Sequence, residues 1–90
     1  MAESRKRAIL SSATVDFDSV AAGGVEIEAV TVRGARTGDV VLVNSPSAEV
    51  GLSVDAYVSD TDEVTIRAFN PTGAPIDPAS QDFSLAIIGG

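Results

Sequence analysis

Apolar residues recur at every second position along most of this chain, and no stretch of a dozen residues carries the three-to-four-residue stripe of an amphipathic helix. The pattern predicts an all-β protein. A first strand is expected over residues 13–17, where Ala13, Val15 and Phe17 share one face and Thr14 and Asp16 the other. Ala21-Ala22-Gly23-Gly24 ends it in a turn, since paired glycines tolerate positive φ. A second strand spans residues 25–32 with a slip in parity: Val25 and Ile27 lie on one face, Val30 and Val32 on the other. A bulge or face switch near Glu28-Ala29 would account for the slip, as would a strand whose two halves meet different partners. After a Gly34-to-Asp39 turn, Val40-Val41-Leu42-Val43 is continuously apolar and reads as a short strand covered on both sides, stopped by Asn44-Ser45-Pro46-Ser47.

The sharpest alternation follows. Leu52, Val54, Ala56 and Val58 interleave with Ser53, Asp55, Tyr57 and Ser59, and after Asp60-Thr61-Asp62 the period resumes at Val64, Ile66 and Ala68. Two half-buried strands around a tight turn form a hairpin. Bringing their apolar faces together pairs Val58 with Val64, Ala56 with Ile66 and Val54 with Ala68, which sets Asp55 opposite Arg67 on the other face. Residues 70–81 hold three of the four prolines and form a long connection, either a functional loop or a crossover between sheets of the kind Greek-key and jelly-roll folds require. A last strand over residues 83–88 places Phe83, Leu85 and Ile87 on one face and adds Ile88 to the other. About six strands spaced by turn signals indicate a small antiparallel β-sandwich or a jelly-roll-like barrel.

Ninety residues allow one domain: a flexible basic arm over residues 1–12 and a single β-sandwich domain over residues 13–90. With three Phe, one Tyr and no Trp, the core is built from small aliphatic side chains, so help from neighbouring subunits is plausible. The surplus apolar surface of residues 40–43 and of Ile87-Ile88 would be buried by a symmetric oligomer, or else those strands are central in the monomer.

Charge is unevenly placed. Glu3 against Arg5, Lys6 and Arg7 makes the first seven residues +2, so residues 8–90 carry −9 of the total −7. Only Arg33, Arg36 and Arg67 oppose that field, so nucleic acid is not an expected partner. The basic start is either a solvated terminus or an arm that docks on an acidic partner. No run approaches the roughly 20 apolar residues of a membrane helix, and Ala8-Ile9-Leu10 is too short for a secretory signal, so a product that stays in the cytoplasm where it is made is expected, with no membrane partner.

The absence of cysteine and histidine removes thiol nucleophiles, imidazole bases and most transition-metal sites, and the single lysine lies in the basic start. Carboxylate pairs at i, i+2 (Asp16 and Asp18, Glu26 and Glu28, Asp60 and Asp62) could in principle serve acid–base hydrolysis, yet exposed strand faces commonly carry such residues. Asp60-Thr61-Asp62-Glu63 packs three carboxylates into one turn and could attract calcium, although the spacing of a helix-loop-helix calcium site is missing. No catalytic residue, cofactor or metal site is expected, and the protein is not expected to be an enzyme.

The ordered segments Val30-Thr31-Val32-Arg33-Gly34-Ala35-Arg36-Thr37-Gly38-Asp39-Val40-Val41-Leu42-Val43, Gly51-Leu52, residues 56–70 and Ile76-Asp77-Pro78-Ala79-Ser80 before Phe83 resemble a family of small tailed-phage virion proteins. The resemblance covers about residues 14–88 and leaves the basic start outside. Members resemble capsid decoration (cement) or head-fibre proteins, which implies a homotrimer on the capsid surface of a virion, bound across major capsid protein subunits. Under that resemblance the expected contacts are Arg5, Lys6 and Arg7 together with Pro75, Ile76 and Pro78 of the long loop. The competing expectation is a receptor- or carbohydrate-binding β-sandwich of the tail-fibre or adhesin type, for which Tyr57 is the one aromatic with a polar handle.

Overall fold

A computed structural model describes residues 7–44 and 51–89. Its six strands are β1 (Arg7–Val15), β2 (Val25–Thr31), β3 (Val40–Asn44), β4 (Ser53–Asp60), β5 (Glu63–Phe69) and β6 (Gln81–Gly89). They form two three-stranded antiparallel sheets, β1-β6-β3 and β2-β5-β4, packed as a small β-sandwich. The consecutive strands β5 and β6 are central, one in each sheet. The pair β1 and β2 flanks them on one side and β3 and β4 on the other, the order of a jelly roll with six strands.

The core lies where the alternating apolar faces meet. Ile66 on β5 and Ile87 on β6 are fully buried, with Val64, Ala68, Phe83 and Leu85 around them. Phe17 meets Phe83 edge-on, with ring centroids 6.1 Å apart, so two of the three phenylalanines close one end of the sandwich. The β4–β5 hairpin has the register that the alternation demands: Val58 pairs with Val64, Ala56 with Ile66, Val54 with Ala68 and Asp55 with Arg67. A bulge between Val58 and Asp60 absorbs the turn.

Two expectations are corrected and one is narrowed. Residues 7–12 are not part of an arm. They continue β1 toward the N-terminus, pairing Arg7 with Gly89 through Val15 with Gln81, while Phe17 is buried beyond the strand end. The polar pair Ser11-Ser12 obscures this stretch in sequence, and antiparallel pairing with β6 holds it in place. Secondly, β2 contains no bulge: it stays in one register with β5 from Val25 to Thr31, and its two apolar pairs face opposite sides of one continuous strand. Thirdly, β3 is an edge strand covered on one side only, with Val41 and Val43 half-buried against the core and Val40 and Leu42 exposed. The stop at Ser45, Pro46 and Ser47 lies outside the described residues.

The proline-rich connection is a crossover between the sheets, from β5 to β6. It is organised by Asn70, a fully buried polar side chain. Its Nδ2 donates to the carbonyls of Val20 (3.0 Å) and Ala74 (2.7 Å), and its Oδ1 accepts from the backbone N–H and the hydroxyl of Thr72 (2.9 and 2.6 Å). The backbone of Asn70 exchanges two further bonds with Gly23 and Gly24, and Ile76 forms an isolated antiparallel bridge with Val20. Every polar atom of the buried amide is therefore satisfied, the condition under which such a group stabilises a fold.

Candidate interaction surface

The strand parity divides each sheet into a core face and an outer face. On the outer face of β1-β6-β3, the registers align Ala8, Ile88 and Val40 in one row and Leu10, Ala86 and Leu42 in the next. Ser12, Ser84 and Asn44 form a third row, and Thr14 donates to Asp82 beyond it. The face therefore has an apolar half and a polar half. Leu10 is 83% exposed, Val40 58%, Leu42 57% and Ile88 38%, together more than two whole aliphatic side chains in water. At about 1.5–3 kcal/mol per side chain, covering them would contribute roughly 3.5–7 kcal/mol before the costs of association. The apolar area involved is on the order of 200–300 Å², well short of the roughly 800 Å² per partner of a stable interface. A partner on this face would need to engage neighbouring edges or loops as well.

The outer face of β2-β5-β4 has a different chemistry. Arg67 makes a two-point contact with Asp55, Nε to Oδ1 at 2.9 Å and Nη2 to Oδ2 at 2.6 Å. The guanidinium holds the Asp55 carboxyl below its ordinary value, mainly through these hydrogen bonds, and Asp55 in turn raises the pKa of Arg67. The guanidinium also lies 5.6 Å from the Tyr57 ring centroid. Tyr57, Phe69, Val25 and Ile27 are exposed around this pair. At the far end of the same face Thr65 is buried, in a chain in which its hydroxyl donates to Ser59 and that of Ser59 donates to Glu63.

The three carboxylates of the β4–β5 turn diverge. Asp60 accepts from the N–H of Thr61, Asp62 from the N–H of Gly34, and Glu63 from the Ser59 hydroxyl. Asp62 occupies the left-handed region at φ 62° and exchanges backbone bonds with Val32 and Ala35, so the turn serves as a clasp on the β2–β3 connection. Among the described residues, no three such side chains are grouped as metal ligands would be. A recess between the sheets is lined by Phe17, Leu52, Val54, Pro78 and Phe83 together with Asn44 and Gln81, with no charged side chain in its wall.

Of the residues expected to contact a partner, Arg5 and Lys6 and the side chain of Arg7 lie outside the described residues. In the long loop Pro75 is exposed, Ile76 is half-buried and bridged to Val20, and Pro78 is buried in the recess wall, so only Pro75 is fully open to another molecule. The rows on the outer face of β1-β6-β3 escape a reading of the sequence, because Ser11-Ser12 breaks the alternation that would carry Leu10 into a strand. Pairing Leu42 with Ala86, and so with Leu10, requires the sheet order. No family model, curated protein or solved structure matches the chain.

Proposed function

We propose that this protein is a non-enzymatic structural component of a phage virion, decorating and stabilising the capsid as a homotrimer bound across major capsid protein subunits. The observation that carries the reading is the uncharged apolar half of the β1-β6-β3 outer face, set on a small acidic body. Such a surface favours burial against another chain, while the remaining acidic exterior favours solubility. The sequence resemblance supplies the capsid as the partner and the homotrimer as the assembly. Co-sedimentation with empty phage heads tests the reading: the chain should pellet with heads, and Leu42→Lys, which places a charge in the second apolar row, should weaken binding at least tenfold. Failure of the unmodified chain to bind any head lattice refutes it.

A receptor- or carbohydrate-binding role is the second reading. It is favoured by Tyr57 and Phe69 exposed on the same sheet face on either side of the Asp55–Arg67 pair, an arrangement of apolar and polar groups suited to a sugar ring. Specific signals on a glycan array that disappear with Tyr57→Ala would favour it over the capsid reading.

A further inference from the structure

Four strands of this sandwich end a sheet, and three of them carry a feature that opposes further pairing. β2 places Glu26 beside Ala68 and Glu28 beside Ile66, charges on the core-face side of an edge. β4 carries Asp55 and Asp60 and is broken by the bulge between Val58 and Asp60. β3 has five residues and lies against β4. Inward charges, bulges and short length are the devices by which sheets avoid edge-to-edge association. β1 carries a charge only at its first residue, Arg7. It runs nine residues in one unbroken register with β6, and from Ala8 to Val15 it contains no charge, proline or glycine. Among the described residues nothing pairs with its outer edge.

We propose that the free edge of β1 pairs antiparallel with β1 of a second copy, joining two three-stranded sheets into one of six strands about a two-fold axis. Charge selects this occupant. The first residue of β1 is Arg7, and Asp16 follows its last. Antiparallel pairing of two such strands sets Arg7 of each copy opposite Val15 and next to Asp16 of the other, so opposite charges meet at both ends. Full overlap of the nine residues sets Ser11 opposite its own copy, Leu10 opposite Ser12 and Ala8 opposite Thr14. That register keeps Ile9, Ala13 and Val15 on the core side of both sheets. It also makes the apolar rows of the two copies parts of one face, enlarging the surface that a single copy leaves too small. The pairing stands independently of the capsid reading; combined with a trimer it gives a hexamer.

Because the chain has no cysteine, single substitutions report the pairing directly. Residues opposite one another in an antiparallel pair have Cα atoms about 4.5–5.5 Å apart, within the roughly 4.4–6.8 Å range of disulfides. Ser11→Cys under mild oxidation should give disulfide-linked dimers several-fold in excess of those from Leu42→Cys on the opposite edge of the same sheet. Light scattering on the unmodified chain should return an even number of copies, and Ser12→Lys, adding like charges beside the axis, should halve that mass. A monomer or an unadorned trimer, or cross-linking at Ser11 no greater than at Leu42, overturns the pairing and leaves the capsid reading standing. An even-numbered assembly that binds no heads does the reverse.

Discussion

Replacing Asn70 by alanine removes four side-chain hydrogen bonds from a fully buried position. Each contributes a net of about 0.5–1.5 kcal/mol, which alone spans roughly 2–6 kcal/mol. Two details place the expected loss in the lower part of that range. The Val20 carbonyl keeps a second bond from the N–H of Ile76, and the Ala74 carbonyl keeps one from the Thr72 hydroxyl, so neither is stranded. The expected loss is therefore about 2–4 kcal/mol, including the small void left by the amide. A ninety-residue domain has a total stability of roughly 4.5–13.5 kcal/mol, so this one substitution takes a large share of it and lowers Tm by about 10–30 °C. Urea unfolding followed by circular dichroism reads the loss as a lower midpoint at unchanged slope. Amide exchange at Val20, Gly23 and Ile76 should accelerate together, because their backbone bonds converge on the same crossover. Asn70→Asp should cost more than alanine at neutral pH, since carboxylate oxygens would face two carbonyls. Part of that excess should be recovered in acid, once the group holds a proton to donate. A loss below about 1 kcal/mol for Asn70→Ala, with Ile76 exchange unchanged, would refute the view that this residue organises the connection.

Asp55→Asn should lower the urea midpoint slightly at neutral pH. The Asp55 carboxyl lies below its ordinary 3.8 in the fold, so its stabilising effect is full above that value and fades as pH falls through the folded one. The midpoint difference between the two proteins should shrink in acid, and a difference constant from neutral pH down through the carboxylate range would contradict the assignment. Gly51→Ala forces a Cβ to within 2.9 Å of Thr72 and 3.2 Å of Ile76 at φ 97°, whereas Gly38→Ala at φ 93° meets open space. Both should lose about 1–2 kcal/mol to backbone strain, and Gly51→Ala clearly more; equal melting temperatures would show that the Gly51 contact is relieved at no cost. Glu28→Val removes an inward edge charge from β2 and should leave the melting temperature within a few degrees while promoting aggregation on heating, read by turbidity at matched concentration.

The hairpin of β4 and β5 was legible to the residue pair because its two runs alternate without interruption and only one short register matches their apolar faces. β2 was legible as an element, but not in the meaning of its parity. Val25 and Ile27 face out of an edge strand, where hydrophobic residues carry no information about the core. The beginning of β1 was lost for the complementary reason: Ala8 to Ser12 packs one side against the core and leaves Leu10 in water, so its alternation is weak. Asn70 stands before Pro71 and reads as a turn residue, which it is; its role as the hub of residues 70–76 depends on Val20, fifty positions earlier. The candidate surface required the sheet order, since Leu10, Ala86 and Leu42 are neighbours through pairing and distant in the chain.

The centre of the first sheet is supplied by β6, the last of the described strands. Until β6 has left the ribosome, β1 and β3 have no ladder to join, and the pairing of Arg7 with Gly89 is closed across nearly the whole sequence. During synthesis β1 therefore waits longest of the six strands for its partner, in a chain whose acidic residues keep nascent copies apart. Removing β6 would unseat three strands rather than fray one. Because Arg7 and Gly89 lie side by side, a direct link between these two positions and a break at the β4–β5 turn would leave the pairing of both sheets intact.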